Sequence, residues 1–241
     1  MRLLRGILEY CFPTGCSHCG SRLGNSPIPF FCSSCWLDLS PLRHPVCPRC
    51  GRPLGSPEAL SASPEHVCWH CRKDPPDVDQ ALAAGIFEGP LREAIHVYKY
   101  RPLMALGRPL ADWMTEHVRK VERLDLVMPV PLHVSRLRKR GFNQALLLAS
   151  GASRAYAVPL HYDNLVRVRP TQPQVELSGK ERVANVTGAF SLKRCHEVAG
   201  KRVLLVDDVF TTGATMNECS RVLREAGAEA VIALTLARTA D

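Results

Sequence analysis

Eight of the eleven cysteines in this 241-residue chain fall into four Cys-x-x-Cys pairs: Cys16/Cys19, Cys32/Cys35, Cys47/Cys50 and Cys68/Cys71. Nothing else in the sequence restricts the fold as tightly. Two thiolates separated by two residues can grip one metal ion from a tight knuckle, and two knuckles complete a tetrahedron. Taken in order, the paired knuckles are separated by 12 and 17 residues, lengths that a hairpin or short loop spans. Glycine follows two of the knuckles, Gly20 and Gly51, where the backbone must turn sharply beneath a metal. The pattern predicts two zinc ribbons. An interleaved pairing, first knuckle with third and second with fourth, satisfies the same sequence. Iron–sulfur clusters are the chief chemical alternative, and a redox dithiol accounts for one isolated pair but not for four. No fifth group suggests an open coordination position, so the zinc ions are expected to be structural. His18 and His70 lie inside knuckles and read as exposed loop residues. Cys11, Cys195 and Cys219 stay unpaired, with Cys219 on the apolar face of a helix as a small core residue.

Residues 12–75 are rich in Cys, Pro, Gly and Ser and show no hydrophobic periodicity, so they need a staple to fold. The run Asp74-Pro75-Pro76-Asp77 ends them as a linker. A double zinc-ribbon domain over 12–75 and an α/β domain over 81–241 are expected. The chain is 46% hydrophobic and 22% charged, and no apolar run approaches the roughly 18 residues of a membrane span. Arg5 and Glu9 interrupt the stretch where a signal peptide would need an apolar core. A cytoplasmic protein without membrane insertion is expected, and with it metal binding rather than disulfides. The net charge of +8 favours anionic partners, but it is spread along the chain, with eight basic against five acidic residues up to Pro75.

In the second region, Leu91, Ala94, Ile95 and Tyr98 share a helical face over 90–99, and a further helix is expected over 103–121. A strand over 124–130 is followed by a basic turn, then by a largely apolar helix over 142–156. Short strands over 165–168 and 189–192 flank a helical stretch near 179–186. The last third is clearest. Residues 202–215 read R-V-L-L-V-D-D-V-F-T-T-G-A-T. Four apolar residues, 203–206, form a buried strand that delivers Asp207 and Asp208 to its carboxyl end, where open α/β sheets place ligands. A helix over 215–226, ended by Gly227, and a strand over 231–236 follow, which implies a parallel crossover.

Paired carboxylates suit vicinal sugar hydroxyls. The turn of Thr211, Thr212, Gly213, Ala214 and Thr215 offers hydroxyls, backbone N–H groups and a helix N-terminus to a phosphate. A plain strand-to-helix turn with good capping residues does not account for the acids. The G-x-x-x-x-G-K-[ST] loop is absent, so ATP hydrolysis has no support.

This stretch resembles the 5-phosphoribosyl-1-pyrophosphate (PRPP) motif of type I phosphoribosyltransferases. Three further segments, together with the cysteine pairs, resemble the ComF family of competence and DNA-utilisation proteins. They are Ala94-Ile-His-Val-Tyr-Lys99-Tyr100; Val130-Pro-Leu-His133 with Arg136, Arg138, Arg140, Gly141, Phe142, Asn143 and Gln144; and Leu177-Ser178 with Arg182, Asn185, Val186 and Phe190. The likeness covers the chain from about residue 8 to the last strand, and departs at Arg101-Pro102, where family members often carry glycine. It implies a parallel phosphoribosyltransferase-like sheet flanked by helices and preceded by zinc ribbons of four cysteines each. Asp207 and Asp208 would lie on ribose hydroxyls, residues 211–215 around the 5′-phosphate, and magnesium on the diphosphate and sugar. The basic segment with Arg136 and Arg140, Lys99, and a flap over 169–185 carrying Arg182 are the diphosphate candidates.

The resemblance also implies a part in uptake or utilisation of external DNA. Three activities fit the residues. One is a PRPP-dependent transferase of nucleotide metabolism, its acceptor and catalytic residues unassigned. Another is a non-catalytic PRPP or nucleotide sensor. The third is a handler of single-stranded DNA, with Trp36, Trp69, Phe30 and Phe31 available to stack on bases. The ribbons would then serve as docking platforms for DNA, or for a DNA-uptake helicase or channel protein.

Overall fold

The computed structural model describes residues 15–55, 66–100, 104–172 and 179–240. Residues 203–206 and 231–236 present apolar side chains on both sides of the backbone, so as strands they must be covered on both faces. They are the middle of the sheet. Strand β5 (Arg202–Phe210) pairs in parallel with β6 (Ala230–Arg238), in register from Arg202 opposite Ala230 to Phe210 opposite Arg238. Strand β1 (Gln80–Ile86) lies outside β6 and β2 (Leu126–Pro129) outside β5, giving the all-parallel order β1-β6-β5-β2.

Alternation along the strands divides the core in two. Leu204, Val206, Ile232 and Leu234 pack with Leu91, Ile95, Leu110 and Leu148 from helices α3 (Gly89–Tyr100), α4 (Gly107–Glu116) and α6 (Gln144–Tyr156). Val203, Leu205, Val231 and Ala233 pack with Met216, Cys219 and Leu223 of α8 (Ala214–Glu225). A second, antiparallel pair, β3 (Leu165–Arg167) with β4 (Phe190–Leu192), and helix α7 (Gly179–Val186) lie against α8.

The first ribbon has no core of its own. Cys16, Phe30, Phe31, Cys32, Cys35 and Leu39 belong to the same apolar cluster as Leu91 and Leu110. Its exit segment runs along the outer side of β1: Pro41 bridges Gly85, and the amide of Leu42 donates to Ala84 O at 2.7 Å. The amide of Ala81 donates to Arg49 O at 2.8 Å. At the other side of the sheet, the amide of Val127 donates to Pro159 O and that of His161 to Val127 O, both at 2.9 Å.

Several elements differ from the sequence expectation. Strand β1 is missed because Ala81, Leu82, Ala83, Ala84 and Gly85 carry neither β-branched nor aromatic side chains. Small residues are needed there, since a Cβ on Gly85 would lie 2.8 Å from Ser40 O and 2.6 Å from a Leu91 methyl. Strand β5 runs four residues past Val206, because β6 continues beside it to Arg238, so Asp207 and Asp208 sit inside the strand. The helix expected over 103–121 is a 3-10 turn (Met104–Leu106) followed by α4, which ends at Glu116, with the His117 ring at 2.8 Å from Trp113 O. The basic turn after β2 is helix α5 (Val134–Arg140), nucleated by His133, whose ring accepts from the Ser135 amide, and stopped by Gly141 at φ +82°.

Placing a methyl group at residue 85 tests how closely ribbon and sheet are packed. Gly85→Ala is expected to lower unfolding free energy by about 1–3 kcal/mol, read by urea denaturation, with the metal content of the folded protein unchanged.

Candidate functional site

In both ribbons the first knuckle is a tight turn and the second opens a helix. The Cys16 and Cys47 carbonyls accept from the amides of Gly20 (2.9 Å) and Gly51 (2.8 Å). Both glycines have positive φ, +73° and +69°, as the sequence led us to expect. Cys32 and Cys68 cap the short helices α1 (Ser33–Leu37) and α2 (Trp69–Lys73), which carry Cys35 and Cys71 on their first turns. Cys16, Cys19, Cys32 and Cys35 form one cluster of sulfurs, and Cys47, Cys50, Cys68 and Cys71 a second, all within 4.8 Å of one another in each. The pairing is therefore sequential, and the interleaved arrangement does not occur.

Sulfur separations of 3.7 Å (Cys19–Cys32), 3.9 Å (Cys47–Cys71) and 3.7 Å (Cys50–Cys68) match the edge of about 3.8 Å of a tetrahedron with Zn–S bonds of about 2.3 Å. Without a cation the crowded thiols share protons unequally. The Cys50 thiol beside it holds Cys47 down to about 4, while that same hydrogen bond and burial push Cys50 far above its ordinary range. A divalent ion removes that conflict. His18 and His70 are exposed and belong to neither cluster. Cys195 is exposed, Cys219 is fully buried on α8, and Cys11 lies outside the described residues.

At the carboxyl end of the sheet, β5 sends Asp207 and Asp208 to opposite faces. Asp208 turns toward α3 and α6 and is 7% exposed. Lys99 Nζ lies 2.7 Å from its Oδ1, and Gln144 Nε2 donates to its Oδ2 at 3.4 Å. Gln144 is itself held by Tyr98, whose hydroxyl donates to the Gln144 carbonyl at 2.8 Å. Burial, with Asp208 nearby, raises the Tyr98 hydroxyl well above its ordinary range. Asp207 turns toward α8 and β3 and keeps some accessible surface. Burial pushes its carboxyl up to about 7; the Asp208 charge adds to this, while the Asp208 amide, Lys99 and Arg167 oppose it.

The two acids thus straddle the strand instead of lying side by side. The turn follows directly. Gly213 has φ +81°, and a Cβ there would lie 2.7 Å from the Phe210 ring, so only glycine fits. Gly213 caps α8, Thr211 and Thr215 are half-buried, and Thr212 is exposed.

The structure adds a residue that the sequence did not single out. Arg167, on β3, extends over the Phe190 ring at 5.0 Å and donates to Thr171 Oγ1 at 2.5 Å, and its Nε is buried without a partner among the described residues. Arg136 reaches the same residue, donating to Thr171 O at 2.8 Å. Burial lowers both guanidinium groups, and each has another arginine close by, Arg140 beside Arg136 and Arg136 beside Arg167. Arg140 stacks on Tyr100 at 5.4 Å, next in sequence to Lys99. An arginine in a three-residue strand carries no signal of its own, so only the neighbourhood of Asp207 reveals Arg167. Arg182 is half-buried on α7. The described ends of the expected flap are tied together, the Gln172 amide donating to Asn185 at 3.0 Å and Asn185 Nδ2 to Gln172 O at 3.1 Å. Arg101, Pro102, Leu177 and Ser178 lie outside the described residues.

Of the aromatic residues near the knuckles, Phe30 and Phe31 are buried at 3% and 0% exposure and offer no stacking surface. Trp36 is half-buried, 6.3 Å from the Phe31 ring. Trp69 is open at 59% exposure, with Lys73 5.1 Å from its ring. Among the described residues no helix is long and apolar enough to cross a membrane.

Residues 142–241 match the model of a phosphoribosyl transferase domain, and residues 7–72 that of a double zinc ribbon domain. The chain is 35% identical to competence protein F of Haemophilus influenzae over 92% of its own length and 96% of that protein's. It is 32% identical to the DNA utilization protein YhgH of Escherichia coli K12 (80% and 84%) and 30% identical to competence protein ComFC of Bacillus subtilis (86% and 84%). Among solved structures, the glutamine PRPP amidotransferase of B. subtilis overlaps 53% of this chain and 25% of its own, with TM-score 0.37 and 23% identity. A hypoxanthine phosphoribosyltransferase of Staphylococcus aureus overlaps 57% and 63%, with TM-score 0.32 and 15% identity. Lys99, Arg136 and Arg140 precede the matched phosphoribosyl transferase segment, so their link to the site rests on the geometry above.

Two measurements follow. Elemental analysis is expected to find two zinc ions per chain and one after Cys19→Ser/Cys32→Ser. Because the folded chain holds the Asp207 proton up to about pH 7 and the unfolded chain only to about 4, this group favours the folded state at low pH and progressively less through that window. Asp207→Asn should therefore raise the melting temperature most at about pH 8, and the gap should close as pH falls toward about 4; a gap independent of pH would contradict the assignment.

Proposed function

This chain belongs to the family of competence protein F, ComFC and the DNA utilization protein YhgH, and we propose that it binds PRPP or a related phosphorylated ribose at residues 207–215, in the uptake or utilisation of external DNA. The observation that carries the reading is the Lys99–Asp208 ion pair set beside a half-open Asp207, directly ahead of a glycine-led helix N-terminus. Lys99 and Gln144 hold the Asp208 carboxylate in place, so that it accepts a hydrogen bond from a ribose hydroxyl without reorganising. Asp207 accepts from a second hydroxyl. Thr211, Thr212, Gly213, Ala214 and Thr215 hold the 5′-phosphate by hydroxyl and backbone donors.

Arg136, Arg140 and Arg167 supply positive charge toward the diphosphate, with Arg182 a candidate from α7. Magnesium suits the site, which offers hard carboxylate oxygens at Asp207 and phosphate oxygens of the ligand; when bound it would neutralise diphosphate charge. Transfer of the ribose to an acceptor needs positioning and charge stabilisation more than a protein nucleophile. Binding without turnover, as a sensor, uses the same residues. A contribution from single-stranded DNA is favoured by one observation, the open Trp69 beside Lys73 and Arg72 on the second ribbon.

Calorimetry with PRPP and magnesium tests the reading. Saturable binding is expected, weakened roughly tenfold or more in Asp208→Asn, since a hydrogen bond to a charged group is worth about 1.5–3 kcal/mol. No binding to the unaltered protein would sink it. Diphosphate release with candidate bases or amines then separates a transferase from a sensor. DNA binding through phosphates must weaken as salt rises.

A further inference from the structure

Arg238, the last residue of β6, is a buried guanidinium, 2% exposed. Among the described residues no carboxylate pairs with it. Burying a cation without an anionic partner is costly, so the surroundings must supply negative charge. Its Nη1 donates to the carbonyl of Cys50, and its Nε to Thr239 O at 3.0 Å. The strongly anionic neighbour is the second cysteine cluster. Four thiolates around a divalent zinc carry a net charge of about −2, and Cys50, whose carbonyl accepts from Arg238, is one of the four.

The other side of Arg238 faces the phosphosugar turn. Its guanidinium lies 5.6 Å over the ring of Phe210, its register partner on β5. The Thr239 amide donates to Phe210 O at 3.1 Å. The Phe210 ring in turn fills the space above Gly213, where a Cβ would lie only 2.7 Å away. Beneath the knuckle there is equally little slack: a Cβ on Gly51 would lie 2.6 Å from Ala81 O and 4.0 Å from Arg238 Nη1. The contacts are continuous from Cys50 through Arg238 and Phe210 to Gly213.

We propose that Arg238 is a positioning residue that couples zinc occupancy of the Cys47/Cys50/Cys68/Cys71 cluster to the shape of the 211–215 turn. With zinc bound, the cluster holds the guanidinium, the guanidinium seats Phe210, and the ring fixes the left-handed Gly213 that opens α8. Without zinc the guanidinium loses its counter-charge and the turn loses its support. Coupling of this kind is reciprocal, so a ligand that orders the turn must slow zinc loss. The inference about a bound phosphosugar rests on the function proposed above, whereas the link between zinc and the turn does not.

The test uses the full-length, zinc-loaded protein with Arg238→Met, Arg238→Lys and Phe210→Leu. Zinc release under chelator challenge is followed with a chromogenic indicator, and hydrogen exchange is read over residues 209–216. Arg238→Met is expected to release one of its two zinc ions about tenfold faster, the scale of a modest coupling energy, and to exchange faster over 209–216. Arg238→Lys, which keeps the charge, should recover zinc retention but not the exchange protection. Phe210→Leu should loosen the turn and, by the same reciprocity, speed zinc release, but by less than Arg238→Met, because the guanidinium and its contact with Cys50 remain.

PRPP with magnesium should slow release from the unaltered protein and have a smaller effect on Arg238→Met. Unchanged zinc release in Arg238→Met, or an unchanged turn in a variant that releases zinc faster, overturns the proposal. If PRPP fails to bind the unaltered protein while the zinc and exchange results hold, the phosphosugar assignment fails and the coupling stands.

Discussion

Burial of both faces of β5 governs this molecule. A strand covered by α3, α4 and α6 on one side and by α8 on the other has no place for a polar side chain along most of its length. Polar groups collect where the covering ends, at the carboxyl end. There the same alternation that buries Val203 and Leu204 on opposite faces sends Asp207 and Asp208 apart. Each acid then meets a different set of partners. Asp208 is neutralised by Lys99 and steadied by Gln144, while Asp207, with no ion pair of its own among the described residues, keeps a proton into the neutral range. Two chemically identical side chains acquire different properties from one backbone repeat.

The same reasoning explains what could be read in the sequence. Continuous apolar runs ending in acids and a small-residue turn identified β5, β6, α8 and the candidate cradle, because each signal is local. The cysteine ligands were legible for the same reason, since a knuckle is four residues long. Strand β1 was not legible. It is held by neighbours from three parts of the chain, Arg49 and Leu42 on one side and β6 on the other, and small residues suit it because those neighbours come close. Arg167 escaped for a related reason: its importance comes from its place among Arg136, Thr171 and Asp207, which the fold and not the local sequence assembles. The limits of β5 were misjudged because its last four residues are paired by β6 and not by their own propensity.

The chain joins a parallel phosphoribosyltransferase-type sheet to two four-cysteine zinc ribbons, and the ribbons are used differently. The first shares its apolar residues with the α3 and α4 side of the sheet. The second encloses little beyond its own sulfurs, Leu54 and Val67, and meets the sheet through backbone groups and Arg238. One ribbon is built into a core and the other is fastened to the strand ends. Loss of metal would be felt as lost packing in the first case and as lost charge balance in the second.

The backbone contacts along the two outer strands have a wider consequence. Residues 41–42 and 49 satisfy the free side of β1, and residues 159–161 that of β2, so among the described residues the four-stranded sheet offers no long row of open donors and acceptors to another chain. The β2 seal is made by chain that follows α6, and the β1 seal by chain held between the two metal sites. A zinc-starved molecule would uncover one specific strand, Gln80–Ile86, which is uncharged and largely apolar. The order of the β1 edge is thus tied to the two cysteine clusters on either side of its cover, whereas the β2 edge is not.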